Sequence, residues 1–167
     1  MDGVLCNFDK AYRAFDPQKE DRKKFRESVM TYKIFEDLEF MPDAQELLNY
    51  VSKLDGINIE ILTSMGTYDE VQGTQAKYQK MHWLNKYNIP YKANFVRAKQ
   101  EKANFAHDRA ILVDDSSGCI NPFNVKGGHG ILHTKSSDTI QQIHDTIRGI
   151  NGLHALKFAW DSMGSYA

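Results

Sequence analysis

Ala110, Ile111, Leu112 and Val113 are apolar at every position, and the run stops at the acidic pair Asp114-Asp115. A half-exposed strand would alternate apolar and polar residues, so a short run without alternation reads as a strand covered by helices on both faces, as in a parallel sheet. The flanking sequence agrees. Ala44, Leu47, Leu48, Val51 and Leu54 recur at helical spacing between the start signal Pro42-Asp43 and the stop signal Asp55-Gly56. Ile57, Ile59 and Ile61 then alternate into Leu62, which predicts a buried strand ending at Thr63-Ser64. Tyr78, Met81 and Leu84 mark a further helix that ends near Asn88, ahead of Pro90. Asn94-Phe95-Val96 reads as a short strand, and Gly130-Ile131-Leu132 as another after the Gly127-Gly128 break. Ile140, Ile143, Ile147 and Ile150 define a last helix capped by Ser136 or Ser137. Strand and helix alternate from residue 43 onward, which predicts an α/β domain with a mostly parallel sheet and its ligands at the carboxyl ends of the strands.

Residues 9–41 break the alternation: Tyr12, Phe15, Phe25, Tyr32, Phe35 and Phe40 stand among many charges with no strand pattern. They read as a helical insert, which leaves residues 1–8 and 42–150 as the core and 151–167 as a tail. Within the insert, Lys19 to Arg26 reads as a solvated helix face, because Glu20 and Asp21 interrupt the basic run and Glu27 follows it.

Twenty-one basic and twenty-two acidic side chains leave a formal charge of -1, so no overall field would recruit a polynucleotide or an anionic membrane, and any anion must be bound locally. Cys6 and Cys119 have no metal-ligand spacing and read as free thiols in a reducing compartment. No apolar run reaches the ~18 residues of a membrane helix, and Met1-Asp2-Gly3 is not the basic start of a signal peptide, so a soluble cytoplasmic protein is expected. The six histidines show no zinc-ligand pattern and read as structural or surface residues, while Trp83 and Trp160 read as core or interface.

Three polar clusters fall where such a sheet would place its site: Asp2-Gly3, Thr63-Ser64 and Asp114-Asp115. Paired carboxylates offer oxygen ligands to a hard cation such as Mg2+, and Thr and Ser hydroxyls with nearby backbone N–H groups suit phosphate oxygens. Lys99 and Lys102, between the last two clusters, add positive charge. Each cluster alone has a plain reading as a turn or a helix cap; their joint order points to phosphoryl transfer.

The residues 1–9, Met-Asp-Gly-Val-Leu-Cys-Asn-Phe-Asp, resemble the first motif, D-x-D-G-V-L-x-D-F, of the haloacid dehalogenase-like phosphatases. Phe8, the stretch Leu-Glu-Phe-Met-Pro-Asp-Ala at 38–44 and Ile-Leu-Val-Asp-Asp at 111–115 resemble their 5'(3')-deoxyribonucleotidase branch. The resemblance covers residues 1 to about 148. It implies a three-layer α/β/α Rossmannoid core with the insert 9–41 as a small helical cap, and a Mg2+-dependent phosphomonoesterase acting on deoxyribonucleoside monophosphates. It also implies roles: Asp2 as general acid and base that lends its carbonyl to Mg2+, Thr63 and Ser64 as phosphate-binding hydroxyls, and Lys102, with Lys99 second, as the phosphate-facing lysine. Asp114 and Asp115 would be the Mg2+ carboxylates, and Phe8 would pack on the base or sugar.

The family's nucleophile, the first Asp of D-x-D, would stand immediately before Met1, after the apolar residues of its central strand. The chain from Met1 onward is therefore expected not to turn over, and a longer protein carrying that segment to be the active form. A small nucleotide is the expected partner, a homodimer the expected assembly if there is one. The competing expectations are a binding protein that keeps the pocket without catalysis, and a phosphatase for another small phosphate ester.

Overall fold

The computed structural model describes the backbone of residues 1–164 and the side chains of residues 1–153. It is a mixed α/β structure with short parallel strands in two small sheets. The chain opens with a tight turn in which the amides of Leu5 and Gly3 bond to the carbonyls of Met1 and Cys6, and it enters α1 (Phe8–Ala14) through the Asn7 cap. After α2 (Asp21–Met30) and α3 (Ala44–Val51) come β1 (Glu60–Ser64), α4 (Glu70–Lys86) and β2 (Lys92–Val96). A 3-10 helix (Lys99–Phe105) leads to β3 (Ile111–Asp114), α5 (Ser117–Val125), β4 (His129–Leu132) and the long α6 (Ser136–Gly164).

β1 pairs with β2 in parallel, Glu60 opposite Lys92 through Ser64 opposite Val96, and β3 pairs with β4 from Ile111–His129 to Asp114–Leu132. Each parallel pair is crossed by one helix, α4 or α5, as parallel connections require. The expectation of a parallel α/β arrangement holds at this level. The expected strand from Ile57 is corrected: β1 begins at Glu60, because its partner β2 begins at Lys92, opposite it. Ile57 is left 41% exposed.

The helix expected from Tyr78 onward is longer and turned differently. Asp69 caps it, its carboxylate accepting from the Gln72 amide at 2.8 Å, and the buried face is Ala76, Gln79, Lys80, Trp83 and Leu84. Tyr78 points outward. The helix stops where Asn88 takes φ +53, followed by Pro90. In the insert, the solvated-face reading of Lys19 to Arg26 needs one correction: Lys24 is buried, its ammonium 4.3 Å above the Tyr12 ring.

The main core gathers Met1, Val4, Leu5, Leu38, Leu47, Ile61, Trp83, Leu84, Ile131 and Ile143, and a smaller cluster joins Leu112, Cys119, Ile120 and Phe123 under α5. α4 ties the insert to this core. Gln79 donates to the Val29 carbonyl at 2.8 Å, and the Trp83 indole N–H donates to the Leu38 carbonyl at 2.8 Å. α6 continues through the expected end at Ile150, so residues 151–164 are helical; residues 165–167 and the side chain of Trp160 lie outside the described residues. Both cysteines are free and buried. Among the described residues, no helix is long and apolar enough to cross a membrane.

Candidate functional site

Asp2 lies in the opening turn, held next to the carboxyl end of β1. Its Oδ2 accepts from the Lys80 ammonium at 2.6 Å, and the same nitrogen reaches the Thr63 hydroxyl at 3.0 Å and the Ser64 carbonyl at 2.7 Å. Lys80 is 1% exposed and sits 4.4 Å over the Phe35 ring. Two sequence clusters, Asp2 and Thr63-Ser64, are thus joined by a residue absent from both. A buried ammonium is tolerated only with partners of this kind. Burial pushes the Asp2 carboxyl up, but the charge and hydrogen bond of Lys80 outweigh it and hold the group below the ordinary carboxylate range.

The second half of the site stands at the end of β3. The Lys102 ammonium donates to Asp114 Oδ2 at 2.6 Å, both side chains being less than a tenth exposed, and the Ser116 amide donates to Asp114 Oδ1 at 3.0 Å. Here too burial raises the carboxyl and Lys102 more than reverses it. Asp115 is the opposite case. Burial and the Asp114 charge both push its carboxyl up, and apart from its own backbone its side chain meets no hydrogen-bond donor among the described residues. It lies directly over Gly3: a Cβ placed there would stand 1.9 Å from Asp115 Oδ2, at a backbone φ of +72. Gly3 therefore serves two ends, allowing the left-handed turn and the close approach of the acidic pair to the first motif.

Of the residues expected at the site, Asp2, Thr63, Ser64, Lys102, Asp114 and Asp115 stand at these strand ends. The Ser64 hydroxyl is engaged locally, donating to the Arg97 carbonyl at 3.1 Å and accepting from the Gly66 amide at 3.0 Å. Lys99 packs over Gly118 at the start of α5. Phe8 is stacked on Tyr12 and on Phe35, each centroid 5.1 Å away, so its ring is held within the insert's own aromatic cluster. The cluster reaches the core where Phe25 touches Gly66, just past β1.

Lys80 is the residue that sequence reading passes over. The signal was there: it falls four positions after Ala76 and three before Trp83, on the face that tryptophan buries. Cys6, hydrogen-bonded to Asp2 Oδ1 at 3.3 Å, is no substitute nucleophile, because burial and the neighbouring Asp2 charge push its thiol far up.

Among the described residues, no group of three or more His, Cys, Asp or Glu side chains is gathered as a metal cage. The donor chemistry nevertheless suits a hard cation: Asp115 offers carboxylate oxygens without a donor of their own, beside a second carboxylate whose charge raises it. No family model, no curated protein and no solved structure matches the chain.

Proposed function

We propose that this chain carries the pocket of a Mg2+-dependent phosphomonoesterase of the haloacid dehalogenase-like type, with a Rossmannoid core, acting on a small nucleotide such as a deoxyribonucleoside monophosphate. One observation carries the reading. Two lysine–aspartate pairs with buried ammonium groups, Lys80–Asp2 and Lys102–Asp114, stand at the carboxyl ends of β1 and β3 with Thr63 and Asp115 beside them. Burying an ammonium in an ion pair is a poor way to gain stability, so two such pairs at neighbouring strand ends favour a functional origin.

In this reading Lys80 and Lys102 supply the positive charge that a phosphate dianion needs, and the Thr63 hydroxyl supplies a hydrogen bond. Asp2, kept ionised by Lys80, is suited to take a proton from the attacking water. Mg2+ would be held by Asp114, Asp115 and the Asp2 carbonyl, and when bound it offsets phosphate charge. In the family this reading draws on, the nucleophile is an aspartate directly preceding the position of Met1, and loss of a cooperating nucleophile costs about a millionfold in rate.

The test is phosphate release from dUMP and dTMP by a chain extended through an apolar segment and an aspartate ahead of Met1. Release that stops with EDTA and with Asp115→Asn supports the reading, whereas a folded extended chain inert on a panel of nucleotides and sugar phosphates removes it. The second reading is a binding protein that uses the pocket without turnover. It is favoured by the closed state of the pairs, each carboxylate already satisfied by its lysine, and saturable nucleotide binding without product would select it.

A further inference from the structure

We propose that the cavity between the first turns of α4 and the carboxyl ends of β1 and β2 is a second ligand site, one that takes an aromatic phosphate of nucleotide size. The cavity holds about 320 Å3, the small end of the range for ligand pockets, and is bounded by α4, the loop from Met65 to Asp69, and Phe95 and Arg97. None of Asp2, Lys80, Lys102, Asp114 and Asp115 lines it. It is therefore separate from the site described above, and the inference is independent of the phosphatase reading.

The first observation is charge. Lys77 reaches the cavity from the helix and Arg97 from the end of β2; both are exposed, and neither side chain meets a carboxylate among the described residues. The Lys77 ammonium lies 5.5 Å from the centre of the Phe95 ring, within the range of a cation–π contact. Two acids stand on the same rim. Asp69 is engaged in capping α4, its carboxylate accepting from the Gln72 amide at 2.8 Å, which leaves Glu70 as the other. Two cations against one free carboxylate make a local positive excess in a chain whose formal charge is -1, and a small anion answers it.

The second observation is surface. Half-buried Phe95 and Met65 give the cavity an aromatic and apolar wall, and Tyr68 stands at its mouth, 66% exposed. Inorganic phosphate would leave that wall unused, and a neutral ring would leave the cations unused. A ring and a phosphate on one molecule satisfy both, while Thr67, Thr74 and Glu70 offer hydroxyl and carboxylate oxygens suited to sugar hydroxyls. The third observation is Gly73. It sits inside α4, where a glycine weakens a helix, and its backbone does not take a positive φ. A methyl there would make only ordinary contacts, 3.4 Å to Met65 Sδ and 3.8 Å to Thr67 Cγ2, so packing within the chain does not require the glycine either. Gly73, Met65 and Thr67 line the same cavity, and the missing side chain keeps its floor open.

The test is titration of the whole chain with adenosine monophosphate, with adenosine and with inorganic phosphate, followed through the backbone amide resonances. The expected result is saturable one-to-one binding of the monophosphate that moves the amides of residues 65–74 and 95–97, with binding of adenosine and of phosphate weaker by about tenfold or more. Lys77→Gln combined with Arg97→Gln should weaken the monophosphate by about tenfold or more at an unchanged melting temperature, since both side chains are exposed. Gly73→Ala should melt higher without ligand yet bind more weakly, a pair of opposite signs that a purely structural glycine does not give. The proposal is overturned by an absence of saturation, by shifts confined to the surroundings of Thr63, Lys80, Lys102 and Asp114, by equal affinity for the monophosphate and inorganic phosphate, or by undiminished affinity in the double variant.

Discussion

Single residues decide more of this site than any element does, and the two lysine–aspartate pairs show how. Lys102 and Asp114 are both buried, so removing the ammonium leaves an unpaired carboxylate in the interior. Lys102→Met should lower stability by about 3 to 5 kcal/mol, measured by urea unfolding, and Lys102→Met combined with Asp114→Leu should recover much of that loss. Gly3→Ala forces a methyl against the Asp115 carboxylate at a left-handed backbone position. It should cost several degrees in melting temperature, and Gly56→Ala is the informative comparison: the same kind of φ, +68, with nothing nearby, isolates the backbone contribution from the collision. The positions of Asp2, Thr63 and the acidic pair near strand ends were legible in the sequence because each stands at the edge of an apolar run. Lys80 was not, since a lysine in a charged helix reads as solvated and its carboxylate partner is 78 positions away.

At the scale of elements, α4 shows where hydrophobic periodicity fails. Its buried face includes Gln79 and Lys80, so an apolar count selects Tyr78 instead and rotates the helix away from its true orientation. Gln79 is 2% exposed and bonds the insert through the Val29 carbonyl. Gln79→Ala leaves that buried carbonyl unpaired and should cost about 1 to 3 kcal/mol by chemical denaturation. The start of α6 is set by another distant group: the Asp43 carboxylate, ahead of α3, accepts from the Ser136 amide. That hydrogen bond outweighs partial burial and holds the Asp43 carboxyl below its ordinary value. A depressed folded value means that the stabilisation is complete above the unfolded carboxyl range and disappears as pH falls through the folded value. Asp43→Asn should therefore cost about 1 kcal/mol at neutral pH, the usual scale of a lost helix cap, and flatten the acid limb of the stability profile below about pH 4.

For the whole molecule, the split sheet is the governing feature. The small cluster of Leu112, Cys119, Ile120 and Phe123 sits with β3 and α5, apart from the main core around Ile61, Trp83 and Leu84. With no ladder joining β1 to β3, amide exchange under native conditions should resolve two opening units, β1–α4–β2 and β3–α5–β4, with different free energies; one common opening energy would contradict this. The alternation of strand and helix from residue 43, the parallel character of the strands and the acidic pair at a strand end were determined by the sequence alone, because each follows from local periodicity, chain breaks and side-chain type; the 3-10 helix Lys99–Phe105 and α5 were not. Only the tertiary structure decided which strands pair, that β1 and β3 stay apart, that Phe8 is enclosed by Tyr12 and Phe35, and that Lys80 binds Asp2. Those outcomes depend on contacts between segments far apart in the chain, where burial and charge pairing act through space and leave no periodic trace in the sequence.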